Sequence, residues 1–507
     1  MRADEIKNIP QEKLRFASTE GRLHDEKLSS KPIGYFRDAF RRFCKNKSSV
    51  VGAIIIGILV LYAIFVPIFC ETNYSKALTD TTYLQYTKLL PKCDALSFLG
   101  WDGAKNNTVN ANTYNVYRGI AEETGLDPIV EVKDTWMENG STYYRLRIDS
   151  YNNLGMLYLN MSPAQYEALQ EWQNENNIQV LFPMVDTSKF VIQSHKSDAN
   201  IWYEIKQNGA PQLDADGNFV PLYLKGGADD GYHSIRVEGD DGTFRYATVT
   251  GTSAAPSWRV RVSKYNYFIY RYGEEPSFLF GTNAKGQDIF TRLAAAARFS
   301  FLLAIFVSAL NLTIGAIYGA IEGYFGGAVD LTMERISDIL SGIPFMVATS
   351  LFQLHLANKV GPVVALLFAF VLTGWIGMAS RVRMQFYRFK NQEYVLAART
   401  LGAKDSRVMF KHIFPNSLGT IITGSILVIP GVIFSESSLT YLGIVNLESS
   451  TMTSVGTMLA NGRSFLASHP HIILFPALFI SLLMISFNLF GNGLRDAFNP
   501  SLRGVED

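Results

Sequence analysis

Residues Val50 to Cys70 read VVGAIIIGILVLYAIFVPIFC and carry no charged side chain. A helix needs about 20 mainly apolar residues to cross the hydrocarbon core of a bilayer. The run is too long for the apolar part of a cleaved signal peptide, and no small-residue cleavage motif follows it. We therefore expect a retained first membrane helix over residues 50–70.

Five further apolar runs follow a long polar segment, and each predicts another membrane helix. They are Phe299–Ile321, Ile339–Leu356, Gly361–Ala379, Leu418–Phe434 and Ile472–Phe490. The sequence thus predicts a polytopic α-helical membrane protein with six transmembrane helices and both chain ends on one side. The net charge of the 507 residues is only +1, which gives no indication of nucleic-acid binding.

The distribution of Lys and Arg predicts which side of the membrane is cytoplasmic. The loop 381–416 contains eight basic and two acidic residues, whereas the segment 71–280 contains 18 basic and 26 acidic residues. We therefore expect both termini and this loop in the cytoplasm, and residues 71–298 outside the cell. The loop 322–338, which is cytoplasmic in this arrangement, is acidic and does not fit the trend.

The N-terminal segment 1–49 precedes the first membrane helix. Ile33, Phe36, Phe40 and Phe43 recur at helical spacing among basic residues. This pattern predicts an amphipathic helix that contacts lipid at the inner membrane surface. A solvated basic stretch is the alternative.

The segment 71–276 is polar but rich in Tyr and Trp, which distinguishes it from a disordered linker. Short stretches of alternating apolar and polar residues, such as Tyr143–Ile148, predict strands. Ser162–Asn177 predicts a helix that Ser162 caps. We expect an extracellular α+β domain here, with no legible function of its own.

The chain contains three cysteines, Cys44, Cys70 and Cys93, and no Cys/His metal-binding spacing. Three reduced thiols are the favoured interpretation. A Cys70–Cys93 disulfide is the alternative if both residues face the oxidising side. The sequence DADGN at Asp214 lacks the glycine and glutamate of an EF-hand loop, so it predicts an acidic turn instead of a calcium site.

The stretch between predicted helices four and five reads EYVLAARTLGAKDSRVMFKHIFPN over Glu393–Asn416. Tyr394, Ala397, Ala398 and Leu401 share one face of a predicted helix. The two alanines leave no bulk in the middle of this face, so another surface can approach closely.

A turn and a second helix follow in the same stretch. Gly402 suits the left-handed residue that ends the first helix. The second helix is expected from about Asp405 to Ile413, with Pro415 preventing its continuation and Asn416 or Ser417 capping the next membrane helix. Residues 393–416 would then form a rigid helix–turn–helix, called the elbow below, that transmits force from a cytoplasmic partner. An ordinary basic loop that only sets topology is the alternative.

The elbow resembles the EAA loop of ABC-importer permeases, whose pattern is EAA-x3-G-x9-I-x-L-P. The aligned residues are Leu396, Ala397 and Ala398 for EAA, Gly402 for the glycine, and His412, Phe414 and Pro415 for I, L and P. Leu396 and His412 depart from the general pattern in the manner of the dipeptide/oligopeptide/nickel branch, which reads close to EYVxAARxLGA…HIxPN.

Three other stretches are similar to the C-type permease subunit of that branch. They are GTNAKGQDIFTR at Gly281–Arg292, ESSLTYLG at Glu436–Gly443 and FNLFGNGLRDAFNP at Phe487–Pro500. The resemblance is strong over 277–503, weak over 33–70 and absent over 71–276. It implies the fold of a type I importer permease, with its core over 277–503 and an inserted extracellular domain.

The resemblance also implies a heteromeric complex in a bacterial plasma membrane. The expected partners are a homologous B-type permease, two cytoplasmic ABC ATPases that bind ATP and Mg, and an extracellular peptide-binding lipoprotein. The residues implied in ATPase coupling are Glu393, Tyr394, Ala397, Ala398, Arg399, Gly402, Pro415 and Asn416. Oligopeptides or dipeptides are the expected cargo, and nickel chelates are the alternative.

The chain has no G-x4-G-K-[ST] phosphate loop, so we expect a non-catalytic pore subunit without a cofactor of its own. Asn311 and Glu436 are candidates for the pathway or its gate. Helix-packing hydrogen bonds and an interfacial carboxylate are their respective alternatives. Two other protein classes stay open: a membrane-anchored extracellular receptor, for which one membrane helix would suffice, and an ion-coupled transporter, which needs carboxylates in broken helices.

Overall fold

The computed structural model describes residues 35–70, 86–186, 197–201, 206, 212–217, 220, 237, 239–252, 255–449 and 452–498. Ile33, the Gly-rich stretch 226–231 and the end of the predicted permease core at 499–503 lie outside the described residues.

Two consecutive helices begin the described chain, α1 (Tyr35–Lys45) and α2 (Lys47–Phe69). Asn46 separates them, and its side chain caps α2 by accepting a hydrogen bond from the Ser49 amide. The predicted amphipathic helix is present as α1. Its Ala39 and Phe43 are buried near the end of the last helix, whereas Phe40 is 68% exposed.

A first antiparallel sheet is built from β1 (Ala104–Asn110), β2 (Ile129–Glu138) and β3 (Ser141–Asp149), in the order β1-β3-β2. Asn139 and Gly140 form the β2–β3 turn with φ of 51° and 76°, the conformation that favours Asn-Gly in tight hairpins. Helix α3 (Ala111–Thr124) packs on the sheet through a cluster that includes Leu146 and Ile148.

A second antiparallel sheet has β7 (Trp258–Ser263) at its centre. β4 (Met156–Met161) pairs with one edge of β7, and β5 (Leu181–Phe182) and β6 (Ala247–Val249) pair with the other. The two helices of this unit are α4 (Pro163–Asn176), which has a capping box at Ser162, and α5 (Lys264–Tyr272). The strand and helix predicted at Tyr143–Ile148 and Ser162–Asn177 are both present.

A buried ion pair joins the two sheets. The Arg261 guanidinium of β7 binds the Glu123 carboxylate of α3 through two hydrogen bonds of 2.7 and 3.0 Å. The side chains are only 1% and 3% exposed. Residues 86–276, called the inserted region below, therefore contain both sheets in one packed unit.

The helices after residue 288 are α6 (Ile289–Phe325), α7 (Gly327–Ser341), α8 (Phe345–Val360), α9 (Pro362–Gly374), α10 (Ile376–Phe389), α11 (Glu393–Thr400), α12 (Asp405–Arg407), α13 (Phe414–Ile426), α14 (Val428–Tyr441), α15 (Val455–Gly462) and α16 (His471–Phe498).

Among the described residues, five continuous helical stretches are long and apolar enough to cross a membrane. They are Lys47–Phe69, Ile289–Phe325, Pro362–Phe389, Asp405–Tyr441 and His471–Phe498. The pair α7 and α8 makes a sixth when it is counted as one span. This architecture agrees with the predicted polytopic helical membrane protein.

The third predicted helix, Ile339–Leu356, is wrong in its bounds because it is two helices, whereas the bend expected at its Pro344 is present. The chain bends by 73° between α7 and α8. Gly342 follows the end of α7, and Pro344, which has no amide hydrogen to donate, is the residue before α8.

The predicted loop 322–338 is also wrong. Helix α6 runs to Phe325, and Gly326 and Gly327 turn the chain with φ of 67° and 57°, so that α7 begins at once. Conformations with φ of this sign cost a residue with a Cβ, which explains the glycine pair.

The acidic residues of this region bind a basic side chain of the neighbouring helix. Arg383 of α10 donates hydrogen bonds of 2.6 Å to both Asp330 and Glu334 of α7. Its Nε also lies 3.7 Å from Glu322 at the end of α6. Arg383 thus compensates part of the acidic charge of residues 322–338, the segment that did not fit the Lys/Arg distribution.

Helices α6 and α10 approach each other through a row of glycines. A Cβ at Gly319 would lie 2.1 Å from the carbonyl oxygen of Ala379, and one at Gly323 would lie 2.7 Å from that of Arg383. Small residues permit such close helix packing in membranes, where contacts and not hydrophobic burial hold helices together.

Candidate functional site

The first helix of the elbow, α11, has one buried side chain and one open face. Val395 is 0% exposed and packs in a cluster with Tyr324 and Phe386. The opposite side of the helix is exposed, including Glu393, Ala397 and Arg399. Ala398 is half-buried.

Large apolar side chains on the open face are solvent-exposed as well. Leu401 is 88% exposed, Leu396 47% and Tyr394 40%. A patch of this kind on a soluble loop is unusual unless another surface covers it.

Gly402 ends α11 in the left-handed conformation that the sequence predicts, with φ of 79°. Its amide donates to the carbonyl of Arg399 at 2.9 Å, and Ala403 donates to Ala398 at 3.1 Å. A Cβ added at Gly402 would meet nothing within 4 Å. Within the chain, the positive φ alone therefore explains why residue 402 is a glycine. The space next to it is open.

The predicted end of the second elbow helix is wrong. Helix α12 passes through a π-helical segment, Val408–Ile413, directly into α13. Pro415 lies in the first turn of α13 and does not stop the helix, because the wider π-helical turn and its shifted hydrogen bonds accommodate a residue without an amide hydrogen. Neither Asn416 nor Ser417 caps α13, because its N-cap residue is Ile413 and both residues lie inside the helix.

Polar contacts join the two parts of the elbow. The Asn416 side chain donates hydrogen bonds to the His412 carbonyl at 2.8 Å and to the Tyr394 hydroxyl at 3.2 Å. Burial raises the pKa of Tyr394, and the Asn416 contact only partly offsets this, so the phenol is neutral at physiological pH.

Tyr324, at the end of α6, connects the elbow to the membrane helices. Its hydroxyl donates a 2.5 Å hydrogen bond to the Asp405 carboxylate, and the Arg399 guanidinium lies 4.9 Å from its ring centre. Val408, Met409 and Ile413 are buried in the same cluster as Val395. The elbow is therefore packed against α6 and α10 and continuous with α13.

Asn311 lies in α6 beside a cavity of about 280 Å³. The cavity is also lined by Thr373, Gly374, Gly431 and Ser435 from α9 and α14. Asn311 is 3% exposed, and its Oδ1 has no hydrogen-bond partner among the described residues. A Cβ at Gly374 would lie 2.4 Å from Asn311 Nδ2, so the glycine makes room for the amide. These contacts suit a polar group that faces an open cavity between α6, α9 and α14.

Glu436 does not belong to that cavity. It is 0% exposed, and its carboxylate accepts hydrogen bonds from the hydroxyls of Ser300 and Thr440 at 3.1 Å each, with Ser437 at 3.4 Å. The interpretation as an interfacial carboxylate is wrong, because α6 and α14 enclose the side chain. The structure thus does not bring Asn311 and Glu436 together.

The sequence reasoning missed Tyr324 and Arg383. Tyr324 gives no sequence signal, since its role depends on contacts with residues 75 to 81 positions away. Arg383 left one indirect signal: an acidic stretch on a side of the membrane where basic residues are expected.

No disulfide joins any two of the three cysteines in the structure, as the favoured interpretation predicts. Cys44, Cys70 and Cys93 all lie in described parts of the chain and carry thiols.

Two protein-family models match the chain. Residues 34–91 match the N-terminal TM domain of oligopeptide transport permease C, and residues 311–504 match the binding-protein-dependent transport system inner membrane component. Neither model covers residues 92–310, which contain most of the inserted region.

Curated relatives agree with these matches. The chain is 43% identical over 224 residues to the oligopeptide transport system permease protein OppC of Bacillus subtilis, a match that covers 44% of this chain and 72% of the relative. It is 40% identical over 225 residues to the dipeptide transport system permease protein DppC of the same organism (44% and 69%). It is 33% identical over 241 residues to the glutathione transport system permease protein GsiD of Pectobacterium atrosepticum (47% and 78%).

These findings define the class. The chain belongs to the family of binding-protein-dependent transport permeases of ABC importers, in its OppC/DppC-like branch. It is a multi-pass membrane protein with a helical permease fold and an additional β-containing region, as the sequence predicted.

Proposed function

We propose that this chain forms half of the translocation pore of an ATP-driven importer for oligopeptides or dipeptides. The names of its relatives support this cargo, since they are permeases for oligopeptides, dipeptides and glutathione, itself a peptide. A homologous B-type permease completes the pore. An extracellular peptide-binding lipoprotein supplies the substrate, and both chain termini lie in the cytoplasm.

The elbow couples the pore to two cytoplasmic ATPases, which bind ATP and Mg and perform the hydrolysis. The observation that carries this proposal is the open face of α11, where Ala397 and Gly402 leave room for a close approach and Leu401 is exposed. Burial of these groups by an ATPase surface would remove about 25 cal/mol per Å² of apolar area from water. Tyr324 and the buried cluster around Val395 pass the movement to α6 and α10.

The test replaces Ala397 with Trp, because this position is exposed and helical, so the change fills the open face without backbone strain. Gly402→Trp is the second variant. Gly140→Trp is the matched control, since Gly140 also has a positive φ and open space but lies in the hairpin of the inserted region. In cells that lack the chain, each variant is expressed and the uptake of labelled di- to octapeptides and of radioactive nickel is measured.

We expect wild type and Gly140→Trp to restore peptide uptake. Ala397→Trp and Gly402→Trp should reach the membrane in normal amounts, lose most peptide uptake and no longer co-purify with the ATPases. Normal uptake by both elbow variants would contradict the coupling role. Restored nickel uptake without peptide uptake would assign the chain to nickel chelates, and restoration of neither would favour a receptor-like function of the inserted region.

A further inference from the structure

A second cavity, of about 210 Å³, lies at the opposite end of α6 from the elbow. The turn 281–288 forms one wall, and Glu448 together with residues 453–472 forms the other. The proposed transport mechanism uses neither the cavity nor its polar residues. Those are Asn283, Lys285, Gln287, Arg292, Glu448, Thr453 and Asn461.

The turn fixes the orientation of Gln287. The Asn283 Oδ1 accepts hydrogen bonds of 2.9 Å from the amides of Lys285 and Gln287. The Asn283 Nδ2 then donates to the Gln287 Oε1 at 3.1 Å. Because the amide oxygen of Gln287 is engaged, its amide nitrogen points the other way.

That nitrogen is a buried donor without an acceptor. Gln287 is 2% exposed and lines the cavity, and its Nε2 has no hydrogen-bond partner among the described residues. A buried donor that is left unsatisfied is costly, so the site gains stability when a ligand brings an acceptor.

The acidic residue of the cavity already has its partners. Lys285 Nζ lies 2.6 Å from Glu448 Oε1, and Asn461 donates to Glu448 Oε2 at 3.0 Å. Burial alone would raise the pKa of Glu448, but these hydrogen bonds and the charges of Lys285 and Arg292 together hold it below its ordinary value. Glu448 is therefore ionised at neutral pH.

The charge at the cavity favours an anion. Lys285 and the 5% exposed Arg292 line it together with the single carboxylate of Glu448. Outside it, Lys88 lies 4.5 Å from the ring centre of Phe465, another lining residue. Among the lining residues, two cations and one anion lie beside the unsatisfied donor of Gln287.

We propose that this cavity binds a carboxylate group, held by the Gln287 amide and the positive charge of Arg292 and Lys285. A volume of 210 Å³ corresponds to about seven water molecules, enough for a carboxylate and the chain atoms next to it. The group comes either from the C-terminus of a free peptide or from an Asp or Glu side chain of another protein. One part of this proposal rests on the proposed function, namely that the carboxylate group comes from outside the cell.

The test uses the full chain in lipid nanodiscs, with methionine methyl groups labelled with ¹³C. Met458 lines the cavity and is buried, so its methyl resonance reports binding directly. The probes are sodium acetate, trialanine, trialanine with an amidated C-terminus, and acetamide. The variants are Gln287→Glu, which keeps the acceptor for Asn283 but repels an anion, and Gln287→Met, which removes the donor at similar volume. Gln170→Glu in the inserted region is the matched control.

We expect acetate and trialanine to shift the Met458 resonance and the two amides to leave it unchanged. Both Gln287 variants should weaken binding by about tenfold or more, whereas Gln170→Glu should titrate like wild type. A tighter titration by trialanine than by acetate identifies a peptide terminus as the source. Equal affinities for trialanine and acetate identify an Asp or Glu side chain of another protein as the source.

The proposal is overturned if neither acid shifts Met458, if the amides bind as well as the acids, or if the Gln287 variants titrate like wild type. The measurement requires neither ATPase nor transport. Its failure therefore leaves the proposed transport function untouched, and a failure of that function leaves the binding site testable.

Discussion

Arg261 and Glu123 form an ion pair that water does not reach, with side-chain exposures of 1% and 3%. The Arg261 guanidinium also donates to the carbonyls of Ala199 and Pro183 at 2.9 and 3.2 Å. Removal of one charge from such a pair leaves the other buried without compensation, and this costs more than the intact pair contributes.

Glu123→Gln should therefore lower the free energy of unfolding of the inserted region by about 3–5 kcal/mol. The neighbouring residue provides the control: Glu122 pairs with Arg118 at 3.9 Å on the surface, with exposures of 35% and 46%. Glu122→Gln should cost less than about 1 kcal/mol. Denaturant titration of the full chain, followed by tryptophan fluorescence, measures both. Equal losses of unfolding free energy for Glu123→Gln and Glu122→Gln would contradict the special role of the buried pair.

Residue patterns predicted local structure well where the cause was local. The cap and first turn of α4 follow from Ser162, Pro163 and Gln165, whose contacts lie within three residues. The left-handed end of α11 follows in the same way from Gly402. The burial of Glu436 was not predicted, because it depends on Ser300, which is 136 positions away in the sequence.

At the scale of elements, a comparison of two glycines in neighbouring helices distinguishes the effect of close helix packing from that of helix propensity. Gly319 of α6 faces the Ala379 carbonyl at a distance that leaves no room for a methyl group. Gly377 of α10 is exposed, and a Cβ there would meet nothing within 4 Å.

Gly319→Ala should destabilise the membrane domain by about 1–3 kcal/mol, because α6 and α10 must move apart. Gly377→Ala should be neutral or slightly stabilising, since alanine has the higher helix propensity. Thermal unfolding of the full chain in detergent compares them. A loss for Gly377→Ala as large as that for Gly319→Ala would show that the glycines serve flexibility and not close packing.

The errors at element scale came from the same kind of limit. Pro415 is a helix breaker by its own chemistry, yet the π-helical turn before it keeps the chain helical. Hydropathy located the membrane helices, and Pro344 predicts a bend in the third, but the 73° angle between α7 and α8 and the extension of α10 to Phe389 were not predicted. Long apolar runs indicate which segments lie in lipid, whereas the exact ends and angles of the helices depend on their packing partners.

At the scale of the whole molecule, the native cysteines test the proposed orientation. Cys44 lies in α1, before the first membrane helix, and Cys93 lies in the inserted region, after it. A membrane-impermeant maleimide added to intact cells should label a variant that retains only Cys93. The variant that retains only Cys44, which is exposed in the structure, should react only after permeabilisation.

Cys93 is partly buried, so Ser97→Cys in a cysteine-free background provides an exposed position beside it. It should react in intact cells as fast as in permeabilised ones. Labelling of Cys44 in intact cells would reverse the orientation and place the elbow outside, where no ATPase could reach it.

The helical stretch from Asp405 to Tyr441 spans 37 residues, about 55 Å at 1.5 Å per residue. The hydrocarbon core of a bilayer is about 30 Å thick, so this rod is longer than the barrier it crosses. One end is the elbow, and near the other Glu436 is enclosed by the hydroxyls of Ser300 and Thr440. When a rigid helix pivots about its middle, its two ends move in opposite directions. In the coupling role proposed for the elbow, its displacement would repack the side chains around the Glu436 carboxylate on the other side of the membrane.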